Sequence, residues 1–210
     1  MRTPDGWCDV ALDEVVTEVQ YGLSIPMKDS GRFPILRMAA IQDGRVILDD
    51  LKYADLTDDV ARRYILRRND VLLNRTNSGD LVGKVGVYGG ELDSVVFASY
   101  LMRLLIDEKA DSRFIGHLLA SYPSQCKLRR YATPGVQQVN INPTNLRRAL
   151  IAVPDTLDEQ RAIIERVNGV AAAIEDHRRQ RAKLSSLREG LRDDLLTGRT
   201  PVVAILEAAE

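Results

Sequence analysis

The sequence contains few of the residues that build metal centres, disulfide frameworks or membrane spans. Its 210 residues include two cysteines, Cys8 and Cys126, and two histidines, His117 and His177. None of these lie at the close spacings typical of metal ligands, so no metal site is expected. There is no run of about 18 apolar residues and no apolar signal segment at the N-terminus. We therefore expect a soluble, cytoplasmic protein without a membrane partner.

A large net charge is also missing, since the chain carries −1 at pH 7. The distribution of charge is nevertheless uneven. Residues 1–60 hold 6 Lys and Arg against 12 Asp and Glu, residues 61–155 hold 14 against 8, and residues 156–210 hold 9 against 10. A polyanion is attracted by a locally basic surface and not by the total charge. The middle of the chain is therefore a candidate nucleic-acid-binding region, although the acidic and basic blocks could simply pack against each other.

Short apolar runs separated by turn residues fill the chain from Trp7 to Pro154. Their length and their content of Val, Ile and Tyr are typical of strands, and the turn dipeptide at Asp43 and Gly44 separates two of them. Helical spacing occurs in TDDVARRYIL and in SRFIGHLLASYPSQCKLRRYA, where Ser112 is a candidate N-cap. The pattern predicts a compact α+β domain of short strands and helices over residues 1–155.

A single long helix is predicted over residues 156–198, followed by a tail at residues 199–210. Thr156 and Glu159 have the spacing of a capping box, no proline occurs until Pro201, and Gly198 is a typical helix stop. Such a helix would be about 60 Å long at ~1.5 Å per residue. A domain of this size rarely offers so long a groove, so we expect the helix to pair with another one in a coiled-coil dimer arm.

A stripe of mainly apolar residues with alternating spacings of three and four runs along this helix. The predicted dimer seam consists of Ile163, Val167, Val170, Ile174, His177, Arg181, Leu184, Leu191 and Leu195. The alternative is a helix that packs back on its own domain, which a break near Gly169 or Gly190 would allow.

The stretch NRTNSGDLVGKVGVY, residues 74–88, contains Gly83 and Lys84 after a polar turn and so raises the question of a nucleotide-binding loop. The motif G-x-x-x-x-G-K-[ST] requires glycine where Ser78 stands, a hydroxyl where Val85 stands, and a following helix. The residues after Lys84, VGVYGG, are strand-like instead. We therefore predict a polar connection between two strands whose side chains are suited to bases and phosphates.

A second polar stretch, YATPGVQQVNINPTNL at residues 131–146, follows the basic sequence KLRR. Its Gln and Asn amides are able to pair bidentately with adenine, and the preceding cations suit backbone phosphates. Amides in segments of this kind also commonly satisfy local turns. The sequence leaves both interpretations open.

No catalytic constellation is visible in the sequence. The sequence NPTN at residues 142–145 lacks the second proline and the aromatic residue of amino-methyltransferases. The carboxylates Asp155, Asp158 and Glu159 have no lysine nearby, and helix capping explains them. We therefore expect a non-catalytic binding protein that holds no cofactor of its own.

The order of several segments is specific when they are taken together. They include DGWCDVALDEVV, YGLSIP, ILRMAAIQDGRVILDDLKY, GVQQVNINPTNLRRALIAVPDTLDEQRAII and LREGLRDDLLTGR. The chain resembles the specificity subunit of type I DNA restriction–modification systems over nearly its whole length. The most specific parts are the pattern L..A.I.VP...DEQ..I, which joins the domain to the helix, and the terminal L...LLTGR.

The resemblance implies a target-recognition domain that reads one half of a bipartite DNA site. It also implies that the long helix acts as a spacer and docks methyltransferase subunits. A complete specificity subunit has two such domains and two helices, whereas this sequence has one of each and no internal repeat, and therefore resembles a half-subunit. Two copies, or this chain and a second specificity half-subunit, would restore the full architecture by dimerisation.

We therefore predict a sequence-specific binder of double-stranded DNA that positions methyltransferase subunits, with restriction subunits as further candidate partners. S-adenosylmethionine, ATP and Mg are expected on those partners. The alternative is a scaffolding protein that docks a protein through its long helix. The candidate DNA-binding residues, chosen for their chemistry and loop position, are Tyr21, Ser24, Arg37, Arg75, Thr76, Asn77, Ser78, Lys84, Lys127, Arg129, Arg130, Gln137, Gln138 and Asn140.

Overall fold

A computed structural model describes residues 3–49, 51–135 and 138–201. The α+β fold class and the long C-terminal helix are confirmed. The chain divides into a first unit, residues 1–164, and a second unit, residues 165–210. No helix within the described ranges combines the length and apolar character needed to cross a membrane.

The described residues form fourteen strands and six α-helices. The strands are β1 (Trp7–Ala11), β2 (Val16–Tyr21), β3 (Phe33–Leu36), β4 (Ile41–Gln42), β5 (Arg45–Val46), β6 (Lys52–Ala54), β7 (Val71–Asn74), β8 (Thr76–Asn77), β9 (Val85–Val87), β10 (Val96–Phe97), β11 (Leu101–Ile106), β12 (Ala132–Pro134), β13 (Val139–Ile141) and β14 (Leu150–Pro154). The helices are α1 (Leu12–Val15), α2 (Asp58–Tyr64), α3 (Ser112–Ala120), α4 (Tyr122–Leu128), α5 (Pro143–Leu146) and α6 (Leu157–Leu196).

A six-stranded sheet with the order β2-β11-β7-β9-β5-β4 forms the centre of the first unit. Neighbouring strands are antiparallel except for the parallel pair β9 and β5. Strand β7 is buried on both faces, because Val71 and Leu73 pack into one apolar core and Leu72 into another. Burial on both faces explains why this strand reads as a continuous apolar run in the sequence.

Three smaller sheets complete the unit. Strands β1 and β14 pair antiparallel over five residues and so join the two ends of this part of the chain. Strands β10, β3 and β6 form a second sheet over a third apolar core, and β12, β13 and β8 form the last. The turn predicted at Asp43 and Gly44 is confirmed, since both residues have positive φ and connect β4 to β5.

The helix predicted to start at Ser112 differs from the prediction at both ends. Asp111, not Ser112, is the N-cap, because its carboxylate accepts hydrogen bonds from the backbone N–H of Arg113 and of Phe114. The segment also forms two helices, since α3 ends at Ala120 and α4 begins with Pro123 in its first turn. Proline has no N–H to continue the hydrogen-bond ladder of α3 and favours a new start.

Arg103 is the one charged residue on strand β11, and it is largely buried. Its guanidinium forms an ion pair of 2.8 Å with Asp70 and donates to the carbonyl oxygens of Arg63 and Ile65, each at 3.0 Å. These carbonyls belong to the C-terminal end of α2. Arg103 therefore satisfies the groups that α2 leaves unpaired and fixes that helix against the sheet.

The first turns of α6 belong to the first unit. Ile164 is buried in the apolar core, and Gln160, one turn earlier on the same face, is only 4% exposed. The Gln160 amide accepts from the backbone N–H of Asp111 at 2.9 Å and donates to the carbonyl of Pro154 at 3.3 Å. Glu159 accepts from the indole N–H of Trp7 at 3.2 Å. The start of the helix is thus tied to β1, to β14 and to the cap of α3.

The far end of α6 stops as the sequence predicts. Gly198 has φ of +71° and donates to the carbonyl of Leu195, and the N–H of Arg199 donates to the carbonyl of Asp194. This pair of bonds is a Schellman motif, in which glycine takes the left-handed position at low cost. The helix runs without a break through Gly169 and Gly190.

We predict that Gln160→Ala lowers the free energy of unfolding by about 2–4 kcal/mol, because it leaves the Asp111 N–H and the Pro154 carbonyl without partners. The matched control is Gln180→Ala, at an exposed position of the same helix, with an expected change below about 0.5 kcal/mol. Urea denaturation of both variants at one protein concentration measures the difference. Equal losses in the two variants would contradict the role assigned to Gln160.

Candidate nucleic-acid interface

The turn between β10 and β11, residues 98–100, gathers three of the segments that hold candidate residues. Ser99 N–H donates to the carbonyl of Leu23 at 2.8 Å, and Ala98 N–H donates to that of Leu36 at 2.9 Å. The N–H of Arg75 donates to the carbonyl of Tyr100 at 2.9 Å. The turn therefore holds near it four candidate residues that are far apart in the sequence, namely Tyr21, Ser24, Arg37 and Arg75.

Arg75 and Tyr21 are in direct contact. The Arg75 guanidinium lies 4.7 Å from the centroid of the Tyr21 ring, and its Nη1 donates to the carbonyl of Ser99 at 3.5 Å. Tyr21 remains 44% exposed. Stacking on an aromatic ring orients a guanidinium, whose N–H groups donate within the plane of the guanidinium itself. A stacked arginine of this kind suits bidentate pairing with guanine.

The small sheet β12-β13-β8 extends the site through polar side chains. Asn140 lies opposite both Thr76 and Thr133 in this sheet, and its Oδ1 accepts from the Thr76 hydroxyl at 2.6 Å. Asn77 accepts through Oδ1 from the backbone N–H of Ser78 at 2.8 Å, which is a local turn. The amide of Asn140 therefore joins two strands, whereas that of Asn77 satisfies the backbone.

The connection between β12 and β13 carries two further candidates. Gly135 N–H donates to the carbonyl of Gln138 at 2.8 Å, and Gln138 is exposed. Gln137 lies outside the described residues. The hairpin thus places Gln138 beside the same small sheet as Asn140.

The remaining candidates fall into separate groups. Ser24 and Ser78 are exposed, and Arg37 is half-buried at the start of a 3-10 helix. Arg130 is exposed, while Lys127 donates to the carbonyl of Leu150 at 3.4 Å. Lys84 and Arg129 line a cleft with His117 and Tyr122. The structure therefore brings one set together around residues 98–100 and a second set in this cleft.

The other residues of the cleft are not predictable from the sequence, because they come from separate elements. Its volume is about 400 Å³, and its lining includes Asp43 from the β4–β5 turn. Burial lowers the pKa of His117 below its ordinary value, and the nearby charge of Arg45 lowers it further. His117 lines this cleft.

The structure excludes a nucleotide-binding P-loop at residues 74–88. Strands β7 and β9 pair antiparallel with Leu73 opposite Val85, so the residues after Lys84 form a strand. The backbone bonds between Asn74 and Lys84 continue this ladder toward the turn. The predicted polar connection between two strands is confirmed, with the addition of β8 within it.

The predicted helix seam is mostly exposed in this single chain. Ile163 packs against the apolar core of the first unit. Among residues 165–201 the exposed large apolar residues are Val167, Val170, Ile174, Leu184, Leu187, Leu191 and Leu196. The prediction did not include Leu187 and Leu196. His177 and Arg181 are exposed, and Leu195 is half-buried.

Two curated relatives are named specificity subunits of type I restriction enzymes. The EcoKI subunit of Escherichia coli is 21% identical over 218 residues, and the MjaVIII subunit of Methanocaldococcus jannaschii is 25% identical over 207 residues. The alignments cover 93% and 95% of this chain but 47% of each relative. This chain therefore spans about half the length of the curated relatives that it matches. No family model matches it.

Solved structures of two specificity subunits also match this chain over about half of their own length. The HsdS subunit from Thermoanaerobacter tengcongensis aligns with a TM-score of 0.60 at 21% identity, covering 91% of this chain and 48% of that one. The type I restriction–modification S subunit from M. genitalium aligns with a TM-score of 0.58 at 17% identity, covering 92% and 46%. At these identities the likeness shows a shared fold.

Proposed function

We propose that this chain, which resembles type I restriction enzyme specificity subunits and spans about half their length, binds duplex DNA and reads one half of a bipartite target. The observation that carries the proposal is similarity over more than nine-tenths of the chain to proteins named for specificity. The side chains gathered around residues 98–100 support it, because their chemistry suits base edges and phosphates.

In this proposal the contacts divide by their chemistry. Arg75 and Asn140 are assigned as base readers, because a guanidinium and an amide suit base edges and each of these is oriented by a neighbouring side chain, Tyr21 or Thr76. Arg130, which is exposed two residues before β12, holds a backbone phosphate. The chain itself supplies recognition and no catalytic group.

We further propose that α6 pairs antiparallel with the same helix of a second copy. In a pair centred on Arg179, Ile174 faces Leu184 and Val167 faces Leu191, because each pair is equidistant from the centre. Arg188 then faces Val170 of the other copy. A parallel pair in register would instead place each arginine of the seam opposite the same arginine of the other copy. Like charges in direct opposition are destabilising. A symmetric dimer would read a palindromic, interrupted target.

The partners in this proposal are double-stranded DNA, methyltransferase subunits and a second copy or another specificity half-subunit. Restriction subunits are further candidates. S-adenosylmethionine, ATP and Mg are bound by those partner subunits. The complex works in the cytoplasm.

A scaffolding function is the second candidate. The exposed apolar residues of the second unit favour it, because they would dock a protein helix whether or not the first unit reads DNA. Binding to random duplex DNA, measured with and without a methyltransferase subunit, separates the two functions.

We predict different effects for two arginine variants on DNA binding. The comparison uses a duplex that the wild-type chain selects from a random library. Arg75→Ala should reduce discrimination between this duplex and random duplex by about 10- to 100-fold, since a bidentate base contact contributes about 1–3 kcal/mol. Arg130→Ala should weaken binding to all sequences by the same factor and reduce the slope of log affinity against log salt concentration by about 1. The control is Lys109→Ala, an exposed cation in the turn after β11. Fluorescence anisotropy at several salt concentrations gives both quantities, and uniform weakening by Arg75→Ala would refute its role as a base reader.

We predict an antiparallel helix pair from disulfide trapping in a Cys8→Ser, Cys126→Ser background. Chains with Ile174→Cys should crosslink to chains with Leu184→Cys when the two are mixed, since a disulfide requires Cα atoms within about 7 Å. Chains with Ile174→Cys alone should remain uncrosslinked. Crosslinking of Ile174→Cys to itself would indicate a parallel pair, and a monomer at tens of micromolar in sedimentation would exclude the dimer.

A further inference from the structure

The cleft that contains Lys84 lies between three parts of the first unit. The β4–β5 turn contributes Asp43, and the start of β9 contributes Lys84. Helix α3 contributes His117, and the following segments contribute Tyr122 and Arg129. Its volume of about 400 Å³ falls within the range of ~300–1,000 Å³ that is usual for small-molecule sites.

The carbonyl groups that would repel an anion here already have partners. The buried Gln125 amide donates to the carbonyls of Gly83 at 2.7 Å and of Leu119 at 2.8 Å. The Ser121 hydroxyl donates to the carbonyl of Leu118 at 2.6 Å. The negative end of helix α3 is therefore covered by hydrogen-bond donors at the point where it meets the cleft.

The cations of the cleft, unlike its carbonyl groups, retain N–H groups that are able to bind a ligand. Arg129 donates through Nη2 to the carbonyl of Asp80 at 3.1 Å, which fixes its guanidinium and leaves other N–H groups to bind. Among the described residues, neither the Lys84 ammonium nor the His117 ring has a hydrogen-bond or ion-pair partner. Asp43 is the one carboxylate of the lining, and Arg45 lies close enough to act on His117. The charged groups together favour an anion.

We propose that this cleft binds a phosphate group between Lys84 and Arg129, with the His117 ring as a further donor. Two sources supply this chemistry. One is a phosphodiester of duplex DNA, which rests on the proposed function. The other is the phosphate of a free nucleotide, whose base would stack on Tyr122, an aromatic side chain that is 81% exposed.

The two histidines make the proposal directly testable by NMR on the full chain, because one lines the cleft and the other is exposed on α6. Titration with inorganic phosphate should shift the ring signals of His117 and raise its pKa, since a nearby anion stabilises the imidazolium. His177 is the internal control, and its ring signals should stay unchanged.

Charge variants then test which side chains hold the phosphate. Lys84→Gln and Arg129→Gln should each reduce the phosphate affinity seen at His117 by about tenfold, because each removes a charge-assisted hydrogen bond. Lys84→Arg should retain most of the affinity. Lys109→Gln removes the same charge from an exposed position outside the cleft and should have no effect. The unliganded His117 signals verify that each variant keeps the native cleft.

Two further ligands distinguish the sources. If duplex DNA competes with phosphate at His117 and Lys84→Gln weakens all duplexes alike, the group bound is a backbone phosphodiester. If AMP binds at least tenfold more tightly than phosphate, and Tyr122→Ala removes this gain, the ligand is a free nucleotide. Both outcomes support the phosphate site.

The proposal is overturned if His117 responds to none of the three ligands, or if its response survives in the Lys84→Gln, Arg129→Gln double variant. These failures differ from failure of the proposed function. A chain that binds duplex DNA, but whose His117 signals respond to none of the three ligands, has no phosphate site here although the proposed function stands. A chain that binds phosphate at His117 and no duplex retains the site and is not a DNA reader.

Discussion

The side-chain amide of Gln160 is the contact on which the arrangement of the first unit depends. It joins the end of β14 to the cap of α3 and lies on the first turns of α6, next to the Glu159 contact with Trp7 on β1. The residues DEQ within L..A.I.VP...DEQ..I, one of the two most specific parts of the resemblance, therefore have a physical explanation. A buried amide with both of its groups paired at fixed positions tolerates few replacements, because any change leaves buried backbone groups unsatisfied.

The candidate interface is a consequence of the same packing. Residues 98–100 connect two strands, and their backbone groups bond three other segments of the chain. The strands on either side are buried, so the turn cannot move independently of the sheet. Arg75 on its aromatic neighbour and Asn140 between two threonines are therefore held in fixed directions. Fixed direction is what separates a side chain that reads a base from one that only attracts a phosphate.

The long helix has two parts with different surroundings. Its first turns contribute Ile164 to the apolar core, whereas the rest exposes large apolar residues that are costly to leave in water. Apolar positions on both sides of Arg179 lie at equal distances from it. This symmetry is the reason to propose a second copy as the partner of the helix.

Local patterns in the sequence were sufficient for the α+β class, the polar connection after β7 and both ends of α6, because Gly198 and the Thr156 region act within one or two turns. They were insufficient for the cap of α3, where Asp111 competes with the adjacent Ser112 and is favoured by its contacts with Arg113 and Gln160. The division of the candidate residues into a cluster at residues 98–100 and a cleft at Lys84 was decided only by the tertiary structure. The contact of Tyr21 with Arg75, and the placement of His117 and Lys84 in one cleft, depend on sheet order and register. These are set by packing between segments far apart in the chain and leave no periodic trace in the sequence.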